Sequence, residues 1–416
     1  MDEIEVARPA SLDKRERFAL LGSLTVSHGI FHFMSQSFSV MIPAVKQTFG
    51  ISPVQIGAII TIRELASGIA SLPGGVASDY LRRHRALLMA VCMAVFGLGW
   101  LMVAVSPDYL LLLAGMVALA VASSIWHLPS MAELSVHFSK NRGSALAVHG
   151  AGGSIGDIFG PVATGLLLGI LSWRGIISIY AAVPLVTALW VAWAFGNKVK
   201  RQKSGEIERT EKPDLKEQLK TTRYILKHSH LWRVNVVAGF RGMCFNIYVT
   251  FLPLFMKEEL GLSDESVGFH FGLLWAVGIV ASPLMGHLSD RFGRKRVLVP
   301  ALFYSCLLTM ILALYGKGAM LTPLIALLGL SVRSDYSILS ATILDIAGNT
   351  VATTMLGVLS FTRFILGAVS PLVAGALYQA FGMKATLFFV AALFASSAVI
   401  FASANLNLPR RGNLRF

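Results

Sequence analysis

Nine charged side chains stand inside long apolar stretches: Arg63, Glu64, Glu133, Asp157, Arg241, Arg333, Asp335, Asp345 and Arg363. Near the centre of a bilayer each would cost about 2.5 to 3.5 kcal/mol on insertion scales, so each calls for a partner, a cavity or a function. Arginine stays charged and offers a planar fork for carboxylate, phosphate or phosphonate, which makes Arg241, Arg333 and Arg363 the anion-binding candidates. A proton carrier must change charge as its site alternates between water and burial, as acids and histidines do. Asp157, Asp335, Glu133 and His127 are the candidates for that task. His28 and His32 are four residues apart and share a helical face. With His127 they offer three imidazoles, but with no Cys beside them and no fixed third ligand the pattern specifies no metal site. The competing reading is structural: embedded charges as ion pairs, and histidines as satisfied packing residues.

The elements that position these groups follow from composition. Of 416 residues, 55% are apolar and 14% charged, against about 25% charged in an ordinary soluble domain. That excludes a soluble enzyme, and the mean hydropathy of +0.67 excludes disorder. Apolar stretches run over 18–47, 54–80, 84–105, 108–137, 143–172, 175–196, 234–256, 266–289, 296–316, 319–347, 351–380 and 382–405. All read as helices, because barrel strands of about ten residues would alternate in polarity. Twelve crossings of roughly 20 residues each fit the length with short connections. The expectation is an all-α membrane protein of twelve transmembrane helices.

Of the 36 Lys and Arg, 27 fall in the tails and the even-to-odd connections and 5 in the opposite set: Lys46, Arg174, Lys257, Lys317 and Lys384. This bias puts both termini and the long middle segment in the cytoplasm of a plasma (inner) membrane protein. The net charge of +14 is thus a topology signal that needs no nucleic acid. No removable signal peptide is read in the opening residues. Cys92, Cys244 and Cys306 lie in apolar stretches without paired spacing and read as packing residues.

A duplication organises the chain. Pro43, Phe49-Gly50-Ile51-Ser52 and Gly57 recur as Pro253, Leu260-Gly261-Leu262-Ser263 and Gly268, an offset of 210 to 211 residues. In the same register Gly75, Asp79 and Arg83 align with Gly286, Asp290 and Arg294, and Pro161 and Gly165 with Pro371 and Gly375. Six helices per half give parallel repeats related by an axis along the membrane normal. The expected organisation is a six-helix half over 1–197, a cytoplasmic linker over 198–233 and a six-helix half over 234–416. The linker holds 11 basic and 5 acidic residues, with Leu215, Leu219 and Leu226 near one face of an expected interfacial helix.

Two six-helix halves with Gly286-x-x-x-Asp290-x-x-Gly293-Arg294-Lys-Arg between the eighth and ninth helices resemble the major facilitator superfamily of secondary transporters. The first copy, Gly75 to Arg85, keeps Asp79 and Arg83 but carries Tyr80 and Arg82 where the family has a basic residue and Gly. The resemblance implies that Gly75, Asp79, Arg83, Gly286, Asp290, Gly293 and Arg294 form a latch closing the cytoplasmic side. Within the superfamily, Gly156-x-x-x-Gly160-Pro161-x-x-x-Gly165 resembles the antiporter signature of proton-driven exporters, and its small residues let helices approach closely. Ser123-Ser124-Ile-Trp-His127, Gly150-Ala-Gly-Gly153-Ser-Ile-Gly156 and Pro53-Val-Gln55-Ile56-Gly57 resemble the fosmidomycin-resistance group of exporters.

In the family, helices one, four, seven and ten line the central cavity. Resemblance thus places His28, His32, His127, Glu133, Arg241, Arg333 and Asp335 at that cavity. With Arg363 added on its charge, the histidines and arginines are the substrate-binding candidates, and Glu133, Asp335 and the fifth-helix Asp157 are those for proton coupling. The implied activity is proton-coupled movement of a small organic solute by alternating access, with export favoured and uptake of an organic anion the rival. The expected partners are a small-molecule substrate, protons and the lipid bilayer, for a monomer without cofactor. No nucleophile elbow, paired-histidine metal motif or phosphate-cradling loop points to an enzyme.

Overall fold

The computed structural model describes residues 4–7, 13–81, 84–199, 207–210, 223, 226–227, 229–332, 334–347 and 352–406. Its long helices are α1 Lys14–Phe49, α2 Pro53–Tyr80, α3 Arg85–Val105, α4 Tyr109–His137, α5 Arg142–Leu168, α6 Trp173–Val199, α7 Ser229–Leu254, α8 Asp264–Phe292, α9 Arg294–Tyr315, α10 Leu321–Val332, α11 Ser334–Ala347 and α12 Ala352–Ser403. Each expected apolar stretch falls on helix among the described residues. The tenth is carried by α10 and α11 on either side of Arg333, which lies outside the described residues. The eleventh and twelfth run together in α12, where Gly382 at φ 74° interrupts the helical backbone. A straight helix of 52 residues would run about 78 Å, far beyond a hydrocarbon core of about 30 Å, so α12 holds two crossings.

The repeated Gly-x-Ser has a local physical cause. Gly50 at φ 60° ends α1 in the left-handed region, and Ser52 caps α2, its Oγ accepting from the Gln55 N–H at 3.3 Å while the Gln55 side chain accepts from the Ser52 N–H at 2.9 Å. In the second copy Gly261 takes φ 66° and Ser263 Oγ accepts from the Ser266 N–H at 3.3 Å. A residue without Cβ ends one helix and a hydroxyl starts the next, which is why this spacing survives in both copies.

The chain divides into two compact units, Met1–Glu211 with Leu252–Trp275, and Lys212–Phe251 with Ala276–Phe416. In the first, α1 packs along α5, α3 against α4 and α6, and α2 against α4. In the second, α9 packs against α10 and α12, and α11 against α12. Three of the minority basic residues are fixed within the first unit. Lys46 Nζ pairs with Glu258 at 2.8 Å, Lys257 with Asp264 at 2.8 Å, and Arg174 donates to the Ala104 carbonyl at 2.6 Å while lying over Trp173.

One element departs from the all-helical reading. Ile4–Ala7 pairs antiparallel with Ile207–Thr210, Ile4 opposite Thr210. Ile4-Glu-Val-Ala and Ile207-Glu-Arg-Thr are strands of only four residues, too short to register in a search for twenty-residue apolar runs. Leu215 and Leu219 of the expected interfacial helix lie outside the described residues.

Candidate functional site

Two polar centres stand in the apolar interior, one in each unit. The first depends on how closely α1 and α5 approach. A Cβ on Gly152 would strike the Thr25 carbonyl, one on Gly156 the Gly29 carbonyl and one on Gly160 the Phe33 carbonyl. Glycines every four residues on α5 therefore let two backbones meet where any side chain would hold them apart. Pro161 lies inside α5, and a Cβ on Gly165 would meet Gly268 Cα of α8 at 2.9 Å.

That crossing brings His149, Gly153 and Asp157, one face of α5 at steps of four, against His28 and His32 of α1. His32 Nδ1 donates to Asp157 Oδ1 at 2.8 Å, with the Asp157 side chain 2% exposed and His32 29%. His28 Nδ1 donates to the His149 carbonyl at 2.8 Å. His127 of α4 donates from Nδ1 to the Ser123 carbonyl at 2.6 Å. A carbonyl or ionised carboxylate only accepts, so in each neutral ring the hydrogen sits on Nδ1 and the lone pair on Nε2.

Ring centroids lie 4.6 Å apart for His28 and His32, 5.1 Å for His28 and His127, and 6.4 Å for His32 and His127. His149 stacks on His28, centroids 4.2 Å apart and planes within 6°. Gly153 makes the room: a Cβ there would fall 2.8 Å from His28 Cε1 and 3.0 Å from His32 Cδ2. The sequence alone did not single out His149, and it showed Gly153 only as part of a glycine-rich motif. Their signal was the i, i+4, i+8 spacing with Asp157, legible only once α5 is known to face α1.

In the second unit Arg241 Nε of α7 donates to Asp335 Oδ2 of α11, with the two residues 4% and 7% exposed. The Arg241 guanidinium also lies over the Phe394 ring, 4.1 Å from its centroid. Arg363, half-buried on α12, lies 4.5 Å over Tyr336 and 5.6 Å over Phe245, while its stem crosses α7 at Gly242. The fork of Arg241 is thus engaged by a carboxylate, as a buried guanidinium must be.

The remaining candidates stand elsewhere. Glu133 accepts from Arg85 Nη1 at 3.1 Å and lies 3.3 Å from His137 Nε2. It is six residues along α4 from His127, about 9 Å on the helix axis. Arg63 and Glu64 are 3.9 Å apart on α2. Arg294 pairs with Asp290 one turn away, and also donates to Asp345 Oδ2 at 3.0 Å and to Ser289 Oγ at 2.7 Å. Gly293 takes φ 95° between α8 and α9, a turn that explains glycine at that place in the motif. Gly286 accepts through its carbonyl from Ser289 Oγ. In the first copy Gly75 lies in α2, while Arg83 and the Asp79 side chain lie outside the described residues.

Comparison with known proteins agrees with this architecture. The sequence profile of the Major Facilitator Superfamily matches residues 24–371 and 236–414. The hexuronate transporter of Bacillus subtilis (strain 168) is 25% identical over 89% of this chain and 91% of its own length. The fosmidomycin resistance protein of Escherichia coli (strain K12) is 24% identical over 80% of this chain and 79% of its own. Among solved structures, a bacterial homologue of the human lysosomal transporter Spinster superposes with a TM-score of 0.77 at 16% identity, covering 94% and 96% of the two chains. The nucleoside transporter NupG gives a TM-score of 0.74 at 14% identity, covering 92% and 98%. Long apolar helices, embedded charges and a match spanning both halves of the sequence lead to one conclusion: the chain belongs to the Major Facilitator Superfamily and is a membrane transporter of small solutes rather than an enzyme.

Proposed function

We propose that the chain is a proton-coupled antiporter that exports a small organic, anionic or amphiphilic solute by alternating access. The observation that supports this most is the His32–Asp157 pair, a half-buried imidazole bonded at 2.8 Å to a buried carboxylate. A proton arriving at His32 Nε2 makes an imidazolium against the ionised Asp157. Its departure restores a neutral ring still donating through Nδ1. A solute seated against His28, His32 and His127 would compete with that proton for the same ring, and competition at one group is what antiport needs.

In this reading the halves 1–197 and 234–416 alternate about the linker 198–233, with both termini cytoplasmic in the plasma membrane and the transporter acting as a monomer. Asp79 and Arg83, with Asp290 and Arg294, close the cytoplasmic side, with Gly75 and Gly286 in the helices that lead to them and Gly293 shaping the turn of the second copy. Arg363 and Arg333 meet the anionic part of the solute, while Glu133 serves proton coupling less directly through Arg85.

Uptake of an organic anion together with a proton has an observation of its own. The Arg241 fork is held by Asp335. An anion can take that fork once Asp335 carries a proton, so anion and proton would travel together; a relative that carries hexuronate, a carboxylate, points the same way.

Reconstituted vesicles holding a pH-sensitive dye decide between the two. Proton movement against a panel compound supports export, and movement alongside it supports uptake and removes the antiport reading. Proton-driven flux in Asp157→Asn equal to that of the unaltered protein would take Asp157 out of the coupling step.

A further inference from the structure

The three histidines of the first unit share a feature that proton exchange does not require. Each holds its Nδ1 hydrogen on a fixed oxygen: His28 on the His149 carbonyl, His32 on Asp157 Oδ1 and His127 on the Ser123 carbonyl. Metal-binding histidines are oriented in this way, the second nitrogen tied to a carbonyl or carboxylate so that the free nitrogen keeps one tautomer and one direction. One ring nitrogen from each residue lies within 4.8 Å of the other two.

An ion held at about 2.1 Å from three nitrogens in tetrahedral geometry spaces those nitrogens about 3.4 Å apart and the ring centroids about 5 Å apart. The observed centroid spacings of 4.6, 5.1 and 6.4 Å bracket that value, and only the His32–His127 separation has to shorten for the set to close. All three residues are half-buried rather than sealed from their surroundings, and three protein ligands leave the fourth tetrahedral position to a water or solute. The third ligand that spacing in sequence could not fix is supplied by the fold: His127 arrives from α4 beside the two histidines of α1.

We propose that His28, His32 and His127 form a binding site for a divalent transition-metal ion of the zinc class, joining α1 to α4. Three neutral imidazoles without a thiolate suit Zn2+, Co2+, Ni2+ or Cu2+ and give no advantage to Mg2+ or Ca2+, which take oxygen ligands. Asp157, bonded to His32, supplies negative charge beside the site and is a positioning residue. Gly153 keeps the rings free to converge, because any side chain there would occupy the space beside His28 and His32.

The test is independent of transport. Full-length protein in detergent, freed of metal and of any histidine tag, is titrated with Zn2+ by calorimetry and with Co2+ by visible absorption. The expected result is one ion per chain and a cobalt spectrum of nitrogen-rich, tetrahedral type. His28→Ala, His32→Ala and His127→Ala are each expected to weaken binding on the order of a hundredfold or more, and Asp157→Asn by about 10- to 100-fold. His287→Ala, on α8 and outside the cluster, is expected to leave binding unchanged. His127→Gln keeps a side chain of similar reach, so with helix content retained by circular dichroism a loss of binding is read as loss of a ligand rather than of the fold. Zn2+ is expected to raise the unfolding temperature of the unaltered protein and leave that of His127→Gln where it was. Absence of binding at millimolar Zn2+, or equal affinity in the unaltered protein and all three alanine variants, would overturn the proposal.

Discussion

The polar centres of the two units solve the same problem, charge in an apolar interior, with different materials. Around α1, α4 and α5 the groups are four imidazoles and one carboxylate, of which His28, His32 and His127 are half-buried. Around α7 and α11 the groups are a permanently charged guanidinium and its carboxylate, both almost fully buried and sealed by Phe394. The first centre can change its charge by moving a proton and keep its hydrogen bonds. The second can change its charge only by breaking a bonded pair or protonating Asp335. In the proposed reading, this difference gives proton exchange to the first unit and the electrostatic hold to the second.

The comparison breaks most visibly at Asp335. Asp335→Ala leaves Arg241 buried without its carboxylate, a loss expected to cost about 3 to 5 kcal/mol, read as a fall in the unfolding temperature of the protein in detergent. The double change Arg241→Met with Asp335→Leu removes both charges and is expected to recover most of that loss while abolishing any anion dependence of flux. If the single and double variants are equally unstable, the pair is not the hold described here.

Next in size is the crossing that assembles the histidines. Gly156→Val places a branched side chain on the Gly29 carbonyl, an overpacking expected to cost about 1 to 3 kcal/mol and to reduce transport with it. Gly150→Val, where an added Cβ would meet no atom within 4 Å, is the control and is expected to act only through the small helix preference against branched residues. Equal losses at the two positions would show that α1 and α5 do not depend on this contact.

The helices were legible because continuous apolar runs of twenty residues have one physical solution in a bilayer, and the turns were legible because Gly50, Ser52, Gly261 and Ser263 carry the caps themselves. The strand pair Ile4–Ala7 with Ile207–Thr210 was not, since two four-residue segments about 200 positions apart in the chain carry no signal of their pairing. Within the candidate site, residue type identified Asp157, His32, Arg241 and Asp335, but partners belong to the fold. Nothing in the sequence tied His32 to Asp157 across 125 positions or turned Glu133 toward Arg85. His149 went unread because a lone histidine on an apolar helix is ordinarily a packing residue, and its stacking on His28 exists only because Gly152 and Gly156 let α5 lie so close.

A smaller structural effect with a larger functional one is expected at Asp157. Asparagine can still accept the His32 hydrogen bond, so Asp157→Asn loses only charge assistance, about 1 kcal/mol of stability. The dependence of flux on an imposed pH difference is expected to fall by about tenfold or more, on the order set by losing a proton-carrying group. Asp335→Asn tested beside it sharpens the contrast: it is expected to lower stability more than Asp157→Asn and to act on substrate affinity as well as on rate.

The smallest effect on stability is expected where the charges meet water. The Asp290 and Asp345 side chains are 65% and 58% exposed beside Arg294, and exposed pairs of this kind contribute about 0.2 to 1 kcal/mol, less at high salt. Asp290→Asn is therefore expected to leave the unfolding temperature nearly unchanged. Its expected consequence is kinetic: if the Arg294 network holds one state of the cycle, turnover slows while the solute concentration giving half-maximal flux stays put. Glu133, 23% exposed against Arg85 in the first unit, is the better protected version of the same acid–arginine pairing, so Glu133→Gln is expected to lower stability more than Asp290→Asn does. A change in half-maximal concentration for Asp290→Asn as large as its change in rate would place Asp290 in solute binding instead of in the latch, and would remove the distinction between a surface contact that times the cycle and interior pairs that hold charge.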